Sequence, residues 1–377
     1  MKRAPPRHDA DTRQIVLSSG RLRKRRAAAA FGLATALSML SACAPVAYVA
    51  QSVGGHLRLV AAARPVPDWL ADDSTPEALR QRLLLSQRIR DFAVQELKLP
   101  DNASYRRYAD IGRSAAVWNV VAASSLSLQL KTWCYPVVGC VGYRGFYDRA
   151  AADEAAQALR DQGLEVKVYG VPAYSTLGKL PGDYFADPLL STFVGYPDVD
   201  LAKLVFHELS HQLLYVPGET VFNESFASTV ERIGGELWLD KHGSTGARAA
   251  FELNESRRED FRELTRATRK ELEAIYDGNA SADAKRAGKS RVMAAMRERY
   301  RIIKTERWNG YAGYDQWMAN ANNASLGLVA AYNSLVSDFR QVYQQNGGNF
   351  ERFYAEVRRI AALPDDQRLA ALSNKKL

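Results

Sequence analysis

Two neighbouring motifs predict the fold and the site of this chain. The first is His207-Glu208-Leu209-Ser210-His211, and the second, beyond a Pro217-Gly218 turn, is Asn223-Glu224-Ser225-Phe226-Ala227. Residues four apart lie on one face of a helix, so His207 and His211 can bind the same tetrahedral ion. Glu208 lies one position round the helix, where its carboxylate can act as a general base instead of binding metal. Apolar residues around the motif predict a buried helix: Leu201, Leu204, Val205, Phe206, Leu209, Leu213 and Leu214. The pattern therefore predicts one catalytic zinc ion per chain.

The third metal ligand is expected in the segment after the turn. A catalytic zinc site needs three protein ligands and an open position. One class of site has a histidine six residues after the second histidine, but that position is Pro217 here. Glu224 is the best candidate, because the turn allows its helix to pack beside the first, with the small Ala227 at the contact. Glu231 is the alternative two turns further on. Three residues are candidates for hydrogen bonds that orient the ligands: Asn223, Ser228 and Glu231.

The N-terminal segment accounts for most of the basic charge of the chain. The formal net charge is +9, but residues 1–42 contain nine Lys or Arg and two Asp, and the rest contains 42 basic and 40 acidic residues. The main charge argument for nucleic-acid binding is thereby removed, and no nucleic-acid partner is expected. Basic residues at 21–26 precede a short apolar stretch at 27–40, which is typical of an export signal. We therefore predict that residues 1–42 are a signal peptide.

The three cysteines favour an exported protein. Leu40-Ser41-Ala42-Cys43 resembles the bacterial lipobox, in which the cysteine is lipidated after cleavage. We expect a lipid anchor at Cys43, on the periplasmic side of the bacterial cell envelope and at the outer membrane. A free N-terminal membrane anchor and a buried cysteine are the alternatives. Cys134 and Cys140 remain as an even pair with a proline and a glycine between them, so a disulfide is favoured over two buried thiols.

Periodicity along the mature chain predicts an α+β fold that is mainly helical. Residues 43–72 are predicted to be a membrane-proximal linker or helix. Residues 73–377 are predicted to be the functional domain, with a sheet-containing part up to about 218 and a helical part after it. Segments 115–123 and 125–133 are expected to form paired strands, and 164–170 a further strand. Helices are expected from 75 to about 97, over 150–161, from 198 or 200 to 215, over about 223–241 and through most of the chain from about 247. The expected architecture is a small mixed sheet, then the motif helix, then a helical C-terminal half.

The motifs of residues 206–231 resemble those of gluzincin metallopeptidases, whose aminopeptidase branch carries Asn-Glu-x-Phe-Ala-Ser around the third ligand. Most of the mature chain also resembles a bacterial family of predicted zinc aminopeptidases. The matching pieces are Trp133-Cys134-Tyr135-Pro136, Gly139-Cys140, Tyr143-Arg144-Gly145, Ala173-Tyr174-Ser175-Thr176-Leu177-Gly178, Asp187-Pro188-Leu189, residues 206–215 and Asn322-Asn323-Ala324. The resemblance implies a zincin-like fold, a peptide substrate, zinc held by His207, His211 and Glu224, and Glu208 as the base.

The resemblance leaves the oxyanion donor and the type of peptidase open. Related enzymes stabilise the oxyanion with a tyrosine or a histidine, and the candidates here are Tyr311 and Tyr314, with Tyr332 as a further one. The Gly-x-Met-Glu-Asn element, by which gluzincin aminopeptidases bind the free amine of the substrate, is absent from the sequence. An aminopeptidase, a zinc endopeptidase of the cell envelope and a non-catalytic zinc-binding lipoprotein are therefore all compatible with the sequence. Glu208 disfavours the last, because a purely structural zinc site does not need a base.

Overall fold

The computed structural model of the chain describes residue 48 and residues 51–135, 139–173, 175 and 182–373. The predicted signal peptide and the predicted lipidation site Cys43 lie outside these residues, as do residues 174 and 176–178 of the sequence motif around Ser175 and residue 136 of the motif that begins at Trp133. The chain divides into two compact units, Met1–His56 and Leu57–Leu377. The described residues of the first unit are helical. All the elements named below belong to the second unit.

Short strands form three small sheets among the described residues. The strands are β1 Arg64–Pro65, β2 Arg107–Ala109, β3 Val117–Ser124, β4 Trp133–Tyr135, β5 Gly139–Val141, β6 Arg144–Phe146, β7 Leu164–Val171 and β8 Leu189–Leu190. One sheet has the order β6-β3-β7 and is antiparallel throughout. A second has the order β1-β2-β8 and is mixed, since β1 and β2 are antiparallel whereas β2 and β8 are parallel. The third is the β4-β5 hairpin.

Helices make up most of the unit. They are α1 Val66–Ala71, α2 Glu77–Gln95, α3 Arg149–Asp161, α4 Asp198–Leu213, α5 Thr220–His242, α6 Thr245–Asp277, α7 Ala282–Glu306, α8 Asp315–Ala319, α9 Asn323–Asn333, α10 Val336–Gln345, α11 Phe350–Ala361 and α12 Asp365–Leu372. A single 3₁₀ turn spans Asp183–Phe185. The protein is thus predominantly helical with small sheets, which confirms the predicted α+β class. None of the helices in the described ranges is long and apolar enough to cross a membrane.

One strand pairing differs from the prediction. β3 pairs along its full length with β7, and over three residues with β6. The expected pairing of segment 125–133 with β3 is limited, within the described residues, to an isolated antiparallel bridge between Ala123 and Leu130. The side-chain amide of Asn323 donates hydrogen bonds to the carbonyls of Ser124 (2.9 Å) and Ser125 (3.0 Å). These bonds fix the backbone where the chain leaves the sheet.

Helices α4 and α5 pack closely because α5 has two adjacent glycines at the contact. A Cβ atom on Gly234 would lie 2.8 Å from Cδ2 of Phe206, and one on Gly235 would lie 2.7 Å from Cγ of Lys203. Ala227, the small residue expected at this contact, is completely buried. The close approach therefore depends on Gly234 and Gly235, which the sequence analysis did not identify.

The hydrophobic core surrounds these two helices. The largest buried cluster includes Leu201, Phe206, Phe222, Phe226 and Phe339. A second cluster lies between α6, α7 and the segment that leads into α9, and its buried members include Phe261, Met296, Trp308, Met318 and Leu326. Helix α5 contributes Phe222 and Phe226 to the first cluster, and burial of these large aromatic side chains holds the helix in the core.

Candidate metal centre

Two consecutive helices, α4 and α5, supply the residues of the predicted site. Asp198 and Asp200 lie in the first turn of α4, where negative charge stabilises the positive end of the helix dipole. Asn223 fixes the turn that follows, because its amide donates to the carbonyl of Val216 at 2.7 Å and its oxygen accepts from the Val216 N–H at 2.8 Å. Asn223 was a candidate for orienting the ligands. Its observed hydrogen bonds instead fix the reversal that places α5 beside α4.

The structure brings His207, His211 and Glu224 together at one buried point. The two Nε2 atoms are 3.2 Å apart, and Oε2 of Glu224 lies 3.3 Å from Nε2 of His207 and 3.6 Å from Nε2 of His211. All three side chains are buried. Ligands arranged tetrahedrally around zinc, with bonds of about 2.0–2.1 Å, are separated from one another by about 3.4 Å. The observed separations therefore fit the ligand set of one zinc ion.

The polar atoms of this group also indicate that it can hold a cation. Oε2 of Glu224 is buried and accepts no hydrogen bond. An unpaired buried carboxylate oxygen costs free energy, because it has lost its water without gaining another partner. A cation between the three side chains would supply that partner. These three residues form the one group of potential metal ligands found in the described part of the chain, and they could hold a metal ion.

Glu231 orients His207 from the other side of the imidazole ring. Its Oε2 lies 2.9 Å from Nδ1 of His207. A hydrogen bond donated by Nδ1 keeps the lone pair of Nε2 available for a metal. Burial on its own lowers the pKa of His207, but the neighbouring carboxylates of Glu224 and Glu231 outweigh it and raise that pKa well above its ordinary value. Glu231, the alternative third ligand, therefore occupies an orienting position, whereas Ser228 is buried on α5 without a described bond to a ligand.

The two other carboxylates of the site differ in their surroundings. Burial raises the pKa of Glu208, although the neighbouring His207 and His211 oppose this effect. Burial acts in the same direction on Glu224, but His211 and His207 outweigh it and lower the pKa of Glu224 to about 2. Glu224 is thus held as an anion, as a metal ligand must be. Glu208 is half-buried beside the group, and its raised pKa makes it a better proton acceptor.

Tyr332, the last tyrosine considered in the sequence analysis, covers His207. The two rings are stacked, with their centroids 6.2 Å apart and their planes 20° from parallel. Burial, followed by the negative charge of Glu224, raises the pKa of the Tyr332 hydroxyl well above its ordinary value. The hydroxyl therefore remains protonated, and able to donate a hydrogen bond, throughout the neutral range.

Helix α9, which carries Tyr332, is fixed at both ends. Near its C-terminus, Ser225 Oγ donates to its backbone at 3.4 Å, and the Arg232 guanidinium donates to the side chain of Asn333. At its N-terminus, Asn322 caps the helix, and the side chain of Asn323 bonds to the end of β3. The Asn322-Asn323 pair belongs to the family resemblance, and these bonds give it a structural role. It positions the helix that presents a tyrosine to the ligands.

Tyr311 and Tyr314 lie against α6 instead. Tyr314 stacks on Phe261 with 4.2 Å between ring centroids, and the Arg257 guanidinium lies 4.2 Å from the ring centroid of Tyr311. No described contact joins either tyrosine to the metal ligands. The structure therefore brings only the last of the three oxyanion candidates to the histidines. The aromatic stacking on α6 accounts for the placement of the other two.

Cys134 and Cys140 form a disulfide that links β4 to β5. The hairpin lies directly against the turn between α4 and α5. A Cβ atom on Gly139, whose φ is +76°, would lie 2.4 Å from the backbone nitrogen of Gly218. Only glycine satisfies both the left-handed backbone and this close approach. The disulfide hairpin therefore supports the turn that joins the two ligand-bearing helices.

Gln212 ties the end of α4 to distant segments, and the sequence analysis did not identify it. Its Nε2 donates to Oδ2 of Asp187 at 2.9 Å and to Oγ of Ser104 at 3.1 Å, and its Oε1 accepts from Asn102 at 2.7 Å. Gln212 follows His211 directly, so these bonds fix the helix beside a ligand. The partners lie 25 to 110 residues away. The family resemblance of the Asp187 motif was the one sequence signal for this cluster.

Comparison with known proteins gives one match. A family model described as "Putative aminopeptidase" matches residues 47–372. The match covers both ligand-bearing helices, the sheets and the helical C-terminal half. No curated protein and no solved structure matches the chain.

Proposed function

The chain belongs to the putative aminopeptidase family, and from that premise we propose that it is a zinc peptidase that removes residues from the free amino termini of peptides. The observation that carries the proposal is the buried triangle of His207, His211 and Glu224, with separations of 3.2–3.6 Å between their ligand atoms. Two histidines and one carboxylate are a donor set that catalytic zinc sites use. The arrangement of the motif helix and the following helix supports a zincin-like fold.

Each residue of the site has a role in the proposed hydrolysis. When bound, zinc supplies Lewis-acid polarisation of the scissile carbonyl and of the attacking water. Glu208 accepts the proton of that water and passes it to the leaving amine. The Tyr332 hydroxyl donates a hydrogen bond to the oxyanion that develops on the carbonyl oxygen. Glu231 keeps His207 in the tautomer that has a free Nε2.

A zinc endopeptidase is the second candidate. It is favoured by the absence of the Gly-x-Met-Glu-Asn element from the sequence. Peptides with free and with acetylated amino termini separate the two activities, because an aminopeptidase needs the free amine. We expect hydrolysis of the free peptide and none of the acetylated one. Equal cleavage of both would establish the endopeptidase.

Zinc dependence and the role of Glu208 are tested by one pair of variants. The purified protein should contain about one zinc ion per chain. Glu208→Gln should keep the zinc and lower kcat by about 10²–10⁴-fold, the contribution typical of a general base. Glu236→Gln is the matched control, since it removes a carboxylate of α5 that pairs with Arg340 at 2.7 Å. A zinc-free protein with full activity, or an unimpaired Glu208→Gln, would contradict the proposal.

We also propose that the chain is an exported lipoprotein, anchored through Cys43 and facing the periplasm. The export-type N-terminus supports this location, and so does the Cys134–Cys140 disulfide, because such bonds persist in oxidising compartments. Metabolic labelling with a radioactive fatty acid should mark the native protein and fail to mark Cys43→Ala. Equal labelling of both proteins would exclude the anchor at this residue.

A further inference from the structure

Lys203 lies on the buried side of α4, one helical turn before His207. Its side chain is only 9% exposed, and a lysine is almost never buried unless it is paired. Nζ lies 2.8 Å from Oε1 of Glu255 on α6 and 3.9 Å from Oε1 of Glu231 on α5. The ammonium group therefore lies between the carboxylate that orients His207 and a carboxylate of a third helix.

Helix α5 provides the space that this lysine occupies. A Cβ atom on Gly235 would lie 2.7 Å from Cγ and 3.0 Å from Cδ of Lys203. Contacts this short are not tolerated, so any side chain at position 235 would displace the lysine stem. The course of the stem between α4 and α5 depends on this glycine.

The far partner of the lysine is itself fixed by ion pairs. Arg258 donates to Oε1 of Glu255 at 2.6 Å and to Asp200 of α4 at 3.0 Å. Arg262 lies 3.6 Å from the other oxygen of Glu255. The packing of three helices therefore sets the position of Nζ, whereas an exposed lysine would move among many rotamers.

We propose that Lys203 is a positioning residue for the metal centre, which holds Glu231 in the place from which it orients His207. Oε2 of Glu231 faces Nδ1 of His207 and Oε1 faces Lys203, so each oxygen has its own partner. Without the ammonium, Oε1 loses its ionic partner and the carboxylate is free to rotate away from the imidazole. Through Lys203, helix α6 contributes to metal affinity without supplying a ligand. The inference rests on the proposed function, because it requires a metal at the three ligands.

The test removes the ammonium and keeps the stem. Lys203→Met should raise the zinc dissociation constant by about 10-fold, the lower end of the effect of residues that support metal ligands. It should change the visible absorption spectrum of the cobalt-substituted protein and lower kcat more than it changes KM. Lys241→Met is the matched control, since its ammonium pairs with Glu96 at 2.6 Å on the surface. The control should leave all three readouts unchanged.

A double-mutant cycle tests whether Lys203 acts through Glu231. In a Glu231→Gln background, Lys203→Met should have no further effect on zinc affinity. Gly235→Ala is the second variant in case Lys203→Met does not fold, because it keeps the charge and displaces only the stem. We expect it to weaken zinc binding in the wild-type background and to be silent in Glu231→Gln.

The outcomes separate this inference from the proposed function. If the wild type binds zinc and both Lys203→Met and Gly235→Ala bind it equally tightly, with an unchanged cobalt spectrum, the positioning role is refuted and the peptidase proposal stands. Effects that add to those of Glu231→Gln would also refute it, because Lys203 would then act through the fold and not through Glu231. A wild type that binds no zinc would refute the proposed function, and the inference with it.

Discussion

Replacement of Tyr332 by phenylalanine should lower kcat by about 10²–10³-fold, the loss measured when an enzyme is deprived of one oxyanion donor, or about 2.7–4 kcal/mol. Tyr332 is half-buried and its ring stacks on His207, and electrostatic stabilisation is stronger where water is excluded. Its raised pKa keeps the hydroxyl protonated at every pH used in the assay. The loss should therefore not vary between pH 6 and 9 through ionisation of this group.

The assay is steady-state hydrolysis of a peptide with a free amino terminus, with the zinc content of each sample measured in parallel. Tyr332→Phe keeps the ring that stacks on His207, so zinc content and KM should change little. Tyr314→Phe is the matched control, because that tyrosine stacks on Phe261 against α6. It should retain the kcat of the wild type.

Two results would refute this assignment. A kcat within about threefold of the wild type for Tyr332→Phe would mean that its hydroxyl does not reach the oxyanion, since a single lost donor costs far more. Tyr143 and Tyr169 would then be the next candidates, because the charge of Glu224 contributes to the raised pKa of both. A large loss in Tyr314→Phe would mean that the segment around α8 moves to the ligands when peptide binds.

Three further results are expected. Zinc at 100 times its dissociation constant should stabilise the wild type by about 2.7 kcal/mol in thermal melts, and Glu224→Ala should show no such gain; a gain in the variant would exclude Glu224 as a ligand. Cys134→Ser/Cys140→Ser should lose about 2 kcal/mol in urea unfolding, from the loop entropy of a six-residue separation, and an unchanged midpoint would contradict this. Burial acts to raise the pKa of Glu255, but Lys203 and Arg258 outweigh it and lower that pKa to about 2. Ionised Glu255 therefore stabilises the folded protein fully above the unfolded pKa of about 4.3, and this stabilisation is lost as pH falls toward 2. Glu255→Gln should therefore make the free energy of unfolding fall less steeply as pH is lowered from about 4.3 toward 2. An equally steep fall in the variant would show that Glu255 is not its source.

The three candidate metal ligands could be predicted because the geometry that joins them is local. The helical period alone places His207 and His211 on one face, and a proline-glycine turn predicts that the next helix returns beside the first. Glu224 then follows from the position of that turn. The choice between Glu224 and Glu231 was harder, since both lie on α5 and both contact His207. They contact different nitrogens of the ring, and no sequence pattern encodes which nitrogen a carboxylate will face.

The choice of Tyr332 as the proposed oxyanion donor could not be predicted for the opposite reason, because the position of this tyrosine depends on contacts between distant parts of the chain. Arg232 and Asn333 are 101 residues apart, and Asn323 lies 199 residues from Ser124. Hydrophobic periodicity in the sequence indicates which face of a helix is buried. It does not indicate which of several tyrosines contacts that helix. The same limit explains why segment 125–133 pairs with β3 at an isolated bridge and not along its length. The segment after Ser124 has strand-like composition, but a helix amide almost two hundred residues away binds its carbonyls.

Helix α5 carries roles that are usually divided among several elements, and this has a consequence for its tolerance to substitution. Glu224 faces the metal position, Glu231 orients a ligand on α4, and Arg232 holds the helix that presents Tyr332. Gly235 admits the lysine that contacts Glu231. These residues span about three helical turns, so a change in the packing of α5 moves Glu224, Glu231 and the contact to the helix of Tyr332 together. Substitutions that tilt α5 should therefore lower metal affinity and kcat in parallel, whereas substitutions on α9 should lower kcat alone. Comparison of zinc affinity with kcat across variants of both helices would distinguish this coupled arrangement from one in which the site residues act independently.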